Sequence, residues 1–289
     1  MAIEFVSNES LSEDALKDMT FWTPYGEFGW GVGNYYIDMK TKGFTMTETQ
    51  VKTLDNMVSK LKAAAIWDSV VEFFPIFGTT LDQLLCRAKF IPGKNITPVN
   101  LSQANAGTNE LDLFTGFSAG TKMYLSSDIK LSDLVSRGGI GVAASLQYDE
   151  NVNTLRSSLL ASEGGNYNIG FTKIQLTQRR FDASSPADIS LGTDRLLYIN
   201  NDVMNAARTA VVNRNFRTNI AGKNFTDANT ITVAPVDGHL FYGFNPTGAT
   251  ASLKAKFKFL MLTSGIPNSS VATFYSIIQQ YLTENNKLF

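Results

Sequence analysis

A glycosidase site carried on one strand needs carboxylates at E-x-D-x-x-E spacing, because alternate side chains then place a nucleophile, a helper and an acid/base on one face. The stretch "ELDLFT" supplies Glu110 and Asp112 at the first two positions, but Thr115 stands at the third. Without a carboxylic acid there the leaving oxygen is unassisted, so glycoside hydrolysis is not expected. Other paired carboxylates, Glu13 with Asp14 and Asp149 with Glu150, are sequence neighbours that a strand points to opposite faces. One cysteine, Cys86, and one histidine, His239, exclude an intramolecular disulfide and the usual soft-ligand metal sets. Cys86 reads as a small buried apolar side chain. His239, in "DGHLF" between turn residues and a strand, reads as an exposed or core-edge histidine rather than a general base. No catalytic residue, metal or cofactor is expected.

Binding without catalysis has better material. Asp149, Glu150, Asn151 and Asn153 in "QYDENVN", and Asn200, Asn201 and Asp202 in "YINNDVMN", could hold a sugar or Ca²⁺ at loop ends, although the same residue types favour plain turns. The segment "FWTPYGEFGWGVGNYY" alternates Trp22, Tyr25, Phe28, Trp30, Tyr35 and Tyr36 with glycines. Trp and Tyr are typical interface anchors, so residues 1–45 are expected to form an arm that docks on another subunit, the alternative being an arm folded over its own domain. No hydrophobic strand precedes these glycines and no helix follows directly, which separates them from a dinucleotide-binding loop.

The elements that must position these residues fall into three stretches. In 46–85, Thr47 and Gln50 form a capping box with Met46 and Val51 as a hydrophobic staple. Val51, Leu54, Val58, Leu61 and Ala65 then recur at helical spacing. This leader helix is expected to end in an aromatic plug (Trp67, Phe73, Phe74, Phe77) that breaks near Pro75 and Gly78 and sits on a neighbouring sheet. From 86 onward, short alternating runs separated by Gly, Asn, Asp and Ser read as strands. In the last, "SLKAKFKFLML", Leu253, Ala255, Phe257, Phe259 and Met261 share one face and Lys254, Lys256 and Lys258 the other. A final helix carries Phe274, Ile277, Ile278, Tyr281 and Leu282 on one side, so 86–289 forms an antiparallel sandwich or jelly roll closed by a helix.

Composition agrees with an ordinary globular chain. Of 289 residues 44% are hydrophobic and the formal net charge is −1, which offers no electrostatic case for nucleic acid or an anionic membrane; Arg179–Arg180 is the densest basic spot. No run approaches the roughly 18 apolar residues of a membrane span. The N-terminus shows no basic region followed by an apolar one, so synthesis in a cytoplasm without export is expected.

The order of motifs carries a resemblance. A leader "VKTLDNMVSKLKAAAIWDSVVEFFPIFG", a long β-stretch and a closing "FYSIIQQYLTENNKL" resemble the concanavalin A-like (laminin G-like) jelly-roll structural proteins of tailed bacteriophages. In that group a "LxxLVxxLKxxGxWdkfxxiyPfxG" leader precedes the sandwich and an "FYxxvqxyxxxLg" helix follows. Leu54, Met57, Val58, Leu61, Lys62, Trp67, Pro75 and Gly78 match; Ala65 stands where a glycine is commoner, and the glycine after the final helix is missing. The likeness covers roughly residues 50–289. It implies a mainly β, non-enzymatic virion subunit on head or tail, with other virion proteins as partners and self-association. The alternative is a lectin-like module that binds a host-surface glycan.

Overall fold

The computed structural model describes residues 12–113, 122–135, 137, 139–148, 157–163, 168–172, 175–179, 187–190, 194–202, 207–212, 223–227, 238–243 and 255–287; between 168 and 227 it describes the backbone alone. The chain opens with α1 (Glu13–Lys17), the hairpin β1 (Thr20–Thr23) and β2 (Gly26–Gly29), α2 (Gly33–Thr41), α3 (Glu48–Ala63), β3 (Val70–Phe74) and α4 (Leu81–Leu84). It continues through β4 (Ile96–Val99), β5 (Ala106–Gly107), β6 (Glu110–Asp112), β7 (Tyr124–Lys130), α5 (Leu131–Val135), β8 (Gly139–Tyr148), β9 (Ser157–Ser162) and β10 (Asn168–Thr172). Then come β11 (Gln175–Arg179), β12 (Ala187–Ser190), β13 (Asp194–Asp202), β14 (Ala207–Val212), β15 (Lys223–Asp227), β16 (His239–Tyr242), β17 (Ala255–Thr263) and α6 (Asn268–Glu284). Among the described residues, no helix is long and apolar enough to cross a membrane.

Beyond the β1–β2 hairpin, two larger antiparallel sheets form. One runs β12-β11-β10-β9-β16-β7-β4 and the other β15-β14-β13-β8-β17-β6-β5, with β3 also paired to β17. Their facing sides share one apolar core. Leu125, Ile129, Leu160 and Leu240 come from the first sheet, and Ile140, Val142, Ala144, Leu146, Leu260 and Leu262 from the second. The result is a sandwich.

The outer face of the second sheet holds a second core. Ala143, Phe259 and Met261 of the sheet pack there with Tyr35, Tyr36 and Met39 of α2, with Val51, Leu54, Met57, Val58 and Leu61 of α3, and with Val271, Phe274, Ile278, Tyr281 and Leu282 of α6. Strand β17 is therefore buried on both sides, and a register shift between Phe257 and Phe259 serves this. Before it, Ala255 and Phe257 face the inner core; after it, Leu260 and Leu262 do, while Phe259 and Met261 face the helices. The single apolar face expected for 253–261 is thus corrected, because a bulge inserts one residue and inverts the alternation.

Several local expectations meet the structure directly. Thr47 Oγ1 accepts from Gln50 N at 3.2 Å and Gln50 Oε1 from Thr47 N at 2.9 Å, and Met46 and Val51 are both buried. The leader helix ends at Ala63, however, in a Schellman motif: Ile66 N donates to Leu61 O and Ala65 N to Lys62 O, with Ala65 at φ 54°. Trp67 and Phe77 of the aromatic plug pack in the core on the outer face of the second sheet. Phe73 and Phe74 belong to β3, a strand of it.

The boundaries expected at 45/46 and 85/86 do not divide the packing. Residues 32–39 share a core with α3, β3, β17 and α6, because α2 contributes aromatic side chains that only those elements can cover. Glycines allow the close approach: a Cβ on Gly31 (φ +104°) would stand 2.7 Å from the Trp67 ring, and one on Gly33 would collide with Phe21.

Candidate functional site

Where the N-terminal segment meets the end of α3, a cleft of about 250 Å³ opens, lined by Lys17, Trp30, Lys62, Ala65, Trp67 and Asp68. Each wall has a local cause. Lys17 ends α1, capped by the Ser12 side chain. Lys62 occupies the last turn of α3, and the Schellman turn through Ala65 swings the chain into the short 3₁₀ turn Trp67–Ser69. Trp30 follows the hairpin and is fixed by Leu16 and Phe21 and by an edge-on contact with Phe90 at 6.1 Å.

Lys89 braces both indoles from within. Its Nζ donates to Trp67 O at 2.6 Å and lies 4.8 Å from the Trp67 ring centroid and 5.7 Å from that of Trp30. Burial pushes the Lys89 ammonium down to about 8, against the opposing pull of the Glu13 and Asp68 carboxylates; Lys17 and Arg137 add to the shift. Of the surrounding charges, Glu13 is held by Arg137 at 3.0 Å and Asp14 by Lys17 at 3.4 Å. Lys62 opposes the burial-driven rise of the Asp55 carboxyl, and the buried Trp30 Nε1 has no acceptor among the described residues. The cleft offers donors, one carboxylate and two apolar ring edges.

A second polar cluster lies between the sheets. Glu72 of β3 accepts from Tyr242 Oη at 2.7 Å and from Arg87 Nη1 at 2.8 Å, and Arg87 also donates to Lys94 O. Burial raises the Glu72 carboxyl above its ordinary range, with the Arg87 charge and the Tyr242 bond opposing. Near the C-terminus the buried Lys287 donates to Ile76 O at 2.6 Å and lies 3.9 Å from the Phe77 ring centroid; burial pulls its ammonium well down. Both clusters join elements distant in sequence and cross-brace the fold.

The residues singled out from sequence scatter. Tyr35 and Tyr36 are buried in the helical core and Trp30 beside Leu16, so their side chains present no surface to another subunit. Their aromatic character serves the chain's own packing. Tyr25 and Phe28 are half-buried against the same core, with Tyr25 Oη donating to Met46 O at 3.1 Å. Only Trp22 of the six is exposed, at 75%, on the hairpin. Glu110 and Asp112 face Lys256 at 2.8 and 3.6 Å. His239 Nδ1 lies 3.6 Å from Glu163 on a half-exposed strand end. Cys86 is buried, its thiol pushed up to about 12 chiefly by that burial. Thr115, Asp149, Glu150, Asn151, Asn153 and Arg180 lie outside the described residues, and Arg179, Asn200, Asn201 and Asp202 have only their strand backbone described.

No protein-family model and no curated protein matches the chain. Among solved structures it is similar to one of botulinum neurotoxin type C, whose cell entry depends on interaction with two ganglioside molecules: TM-score 0.50, 12% identity, 74% of this chain and 53% of that one. It is similar also to Trypanosoma rangeli sialidase in complex with sialic acid: TM-score 0.49, 15% identity, 82% of this chain and 38% of that one. The binding domain of botulinum neurotoxin DC, in complex with rat synaptotagmin II, gives TM-score 0.46, 11% identity, 73% and 52%. The chain spans between 38% and 53% of these longer chains. The likeness to the type C structure speaks to fold: the class is a β-rich sandwich of antiparallel sheets with a helical cover.

Proposed function

We propose that this chain is a non-enzymatic recognition module that binds carbohydrate. The observation that carries the reading is the cleft in which two indoles, Lys62 and Asp68 converge on one concave surface. Aromatic edges with a few placed polar groups are the usual makings of a small-ligand site. The similar fold of a neurotoxin whose cell entry depends on gangliosides supports the class of ligand. Glu110 and Asp112 face Lys256 and are not among the residues that line the cleft, which favours binding over hydrolysis there. A glycan array probed with the purified full chain tests the reading: saturable retention of a defined set of glycans is expected, and an array without retention overturns it.

The leader and closing motifs favour a second role for the same module, that of a concanavalin A-like jelly-roll subunit on a phage virion. The anchoring assigned to residues 1–45 then narrows to the hairpin, where Trp22 is the one exposed large hydrophobic side chain among the described residues. Trp22→Ala is expected to leave the melting temperature unchanged and to weaken self-association or incorporation into particles. Unaltered sedimentation and incorporation would remove Trp22 as the anchor.

A further inference from the structure

We infer that the end of α6 is a latch on the turn that joins the two cores: seated, it holds Ile76 left-handed, and unseated, it lets the turn relax and the sandwich open there. The turn follows β3. Ile76 has its side chain in the core between the sheets, whereas Phe77, the next residue, has its ring in the helical core. Consecutive side chains reach different cores because Ile76 takes φ 55°. For a β-branched residue that conformation is rare, and such strain persists only where the surroundings over-determine it. Ile76 also closes a small apolar cavity of about 10 Å³ beside Leu84, Leu113 and Tyr242.

The surroundings come from the far end of the chain. After α6 the left-handed Asn286, at φ 52°, turns the chain, and Lys287 N donates to Leu282 O at 2.8 Å. Ser145 Oγ of β8 holds Lys287 O at 2.6 Å. So placed, the Lys287 ammonium donates to Ile76 O at 2.6 Å and to Lys258 O at 3.3 Å, and lies 3.9 Å from the Phe77 ring centroid. One side chain thus grips both residues of the joint. The turn's other bonds lie beyond Ile76: Phe77 N donates to Tyr35 Oη at 3.4 Å, and Gly78 bonds Asn109 through N and O at 2.9 and 2.7 Å. Lys287 is 1% exposed and has no carboxylate paired with it among the described residues, so its charge is costly to bury. An apolar side chain would serve a plain brace better. A costly charge set against a costly backbone conformation suits an element with two states, one of which each side imposes on the other.

The test compares the full wild-type chain with Lys287→Met, which keeps most of the stem and deletes the ammonium, by native-state hydrogen exchange and backbone chemical shifts. In the variant the Phe77 and Gly78 amides are expected to exchange at least about tenfold faster relative to those of α3, the effect of losing one hydrogen bond to a charged group. The Ile76 backbone carbon shifts are expected to leave the left-handed range. Ile278→Ala serves as the control, since it weakens the same helical layer without touching the latch. It should speed the amides of α3 and of the turn alike and leave the Ile76 shifts in place. Uniform acceleration in Lys287→Met, or Ile76 shifts that stay left-handed, would show that the turn sets its own conformation and would overturn the inference. Should Lys287→Met not fold, Ser145→Ala removes only the bond to Lys287 O and is expected to give a smaller change in the same direction; a failure of that variant to single out Phe77 and Gly78 overturns the inference equally.

Discussion

Replacing Ala65 by glycine should stabilise the protein, although it removes a side-chain atom. Ala65 is the C′ residue of a Schellman motif and sits at φ 54°. An L-residue there brings Cβ against the following carbonyl, at a cost of about 1–2 kcal/mol. The Ala65 side chain is exposed, so its loss leaves no cavity. Glycine returns about 0.4–1 kcal/mol through the greater freedom of the unfolded chain, and the expected net gain is about 0.5–1 kcal/mol. For a chain of this size that corresponds to a rise of roughly 1–3 °C in melting temperature. Differential scanning calorimetry and urea unfolding of Ala65→Gly should both show it, beside Ala64→Gly as control. Ala64 has φ −85°, so glycine there should lower stability by up to about 1 kcal/mol. A fall in stability for Ala65→Gly, or equal shifts for the two variants, would refute the assignment of strain to position 65.

Other consequences can be checked alongside. Ile278→Ala should cost about 2–5 kcal/mol, because Ile278 is 1% exposed in the core between α6 and the sheet; an unchanged calorimetric melt would place α6 outside the cooperative unit. Glu72→Leu should cost about 3 kcal/mol, the low end for breaking a buried ion pair, since Arg87 keeps a little access to water; a neutral outcome in urea unfolding would show that Arg87 finds other partners. Lys89 holds its proton less tightly folded, at about 8, than unfolded, near 10.5. Between those values the unfolded chain binds more protons, so the stability of the wild type relative to Lys89→Met should rise with pH, by up to about 3 kcal/mol, and stay flat below pH 8. A difference between the two proteins that does not change with pH would mean that the ammonium is not buried.

What the sequence made legible was local. A capping box, a hydrophobic staple and a 3.6-residue stripe are short-range devices, and α3 carries all three. Both departures from the phage motifs fall on left-handed C′ positions: Ala65, and Asn286 at φ 52°, where Lys287 N donates to Leu282 O. At such positions glycine is preferred for its backbone, and asparagine is the next most tolerant residue. The errors came from long-range packing. Aromatics in 22–36 carry the composition of an interface whether the surface they cover belongs to a partner or to the same chain. Glu72 did leave a trace, a lone carboxylate in the apolar run "VVEFF", which burial obliges to find a partner; nothing local named Tyr242, 170 residues away. The cleft was illegible for the same reason, since Lys17 and Trp30 meet Lys62 and Trp67 only after the N-terminal segment folds back.

That folding back also decides where a ligand could sit. A sandwich with both outer faces solvated would carry polar residues on the outer side of β17. Here Phe259 and Met261 occupy that side, Ala143 of β8 beside them leaves room, and a bulge keeps Leu260 and Leu262 in the inner core. Such a sheet must be covered, and α2, α3 and α6 cover it. A cover assembled from both ends of the chain has seams, and the cleft lies where the N-terminal segment meets the end of α3. Its position follows from the cover and not from the sandwich, so similarity between sandwiches gives no guide to it. Variants of Lys62 and Asp68 therefore test a property of this chain's own helical layer, independently of whatever the loops at the ends of the sheets bind.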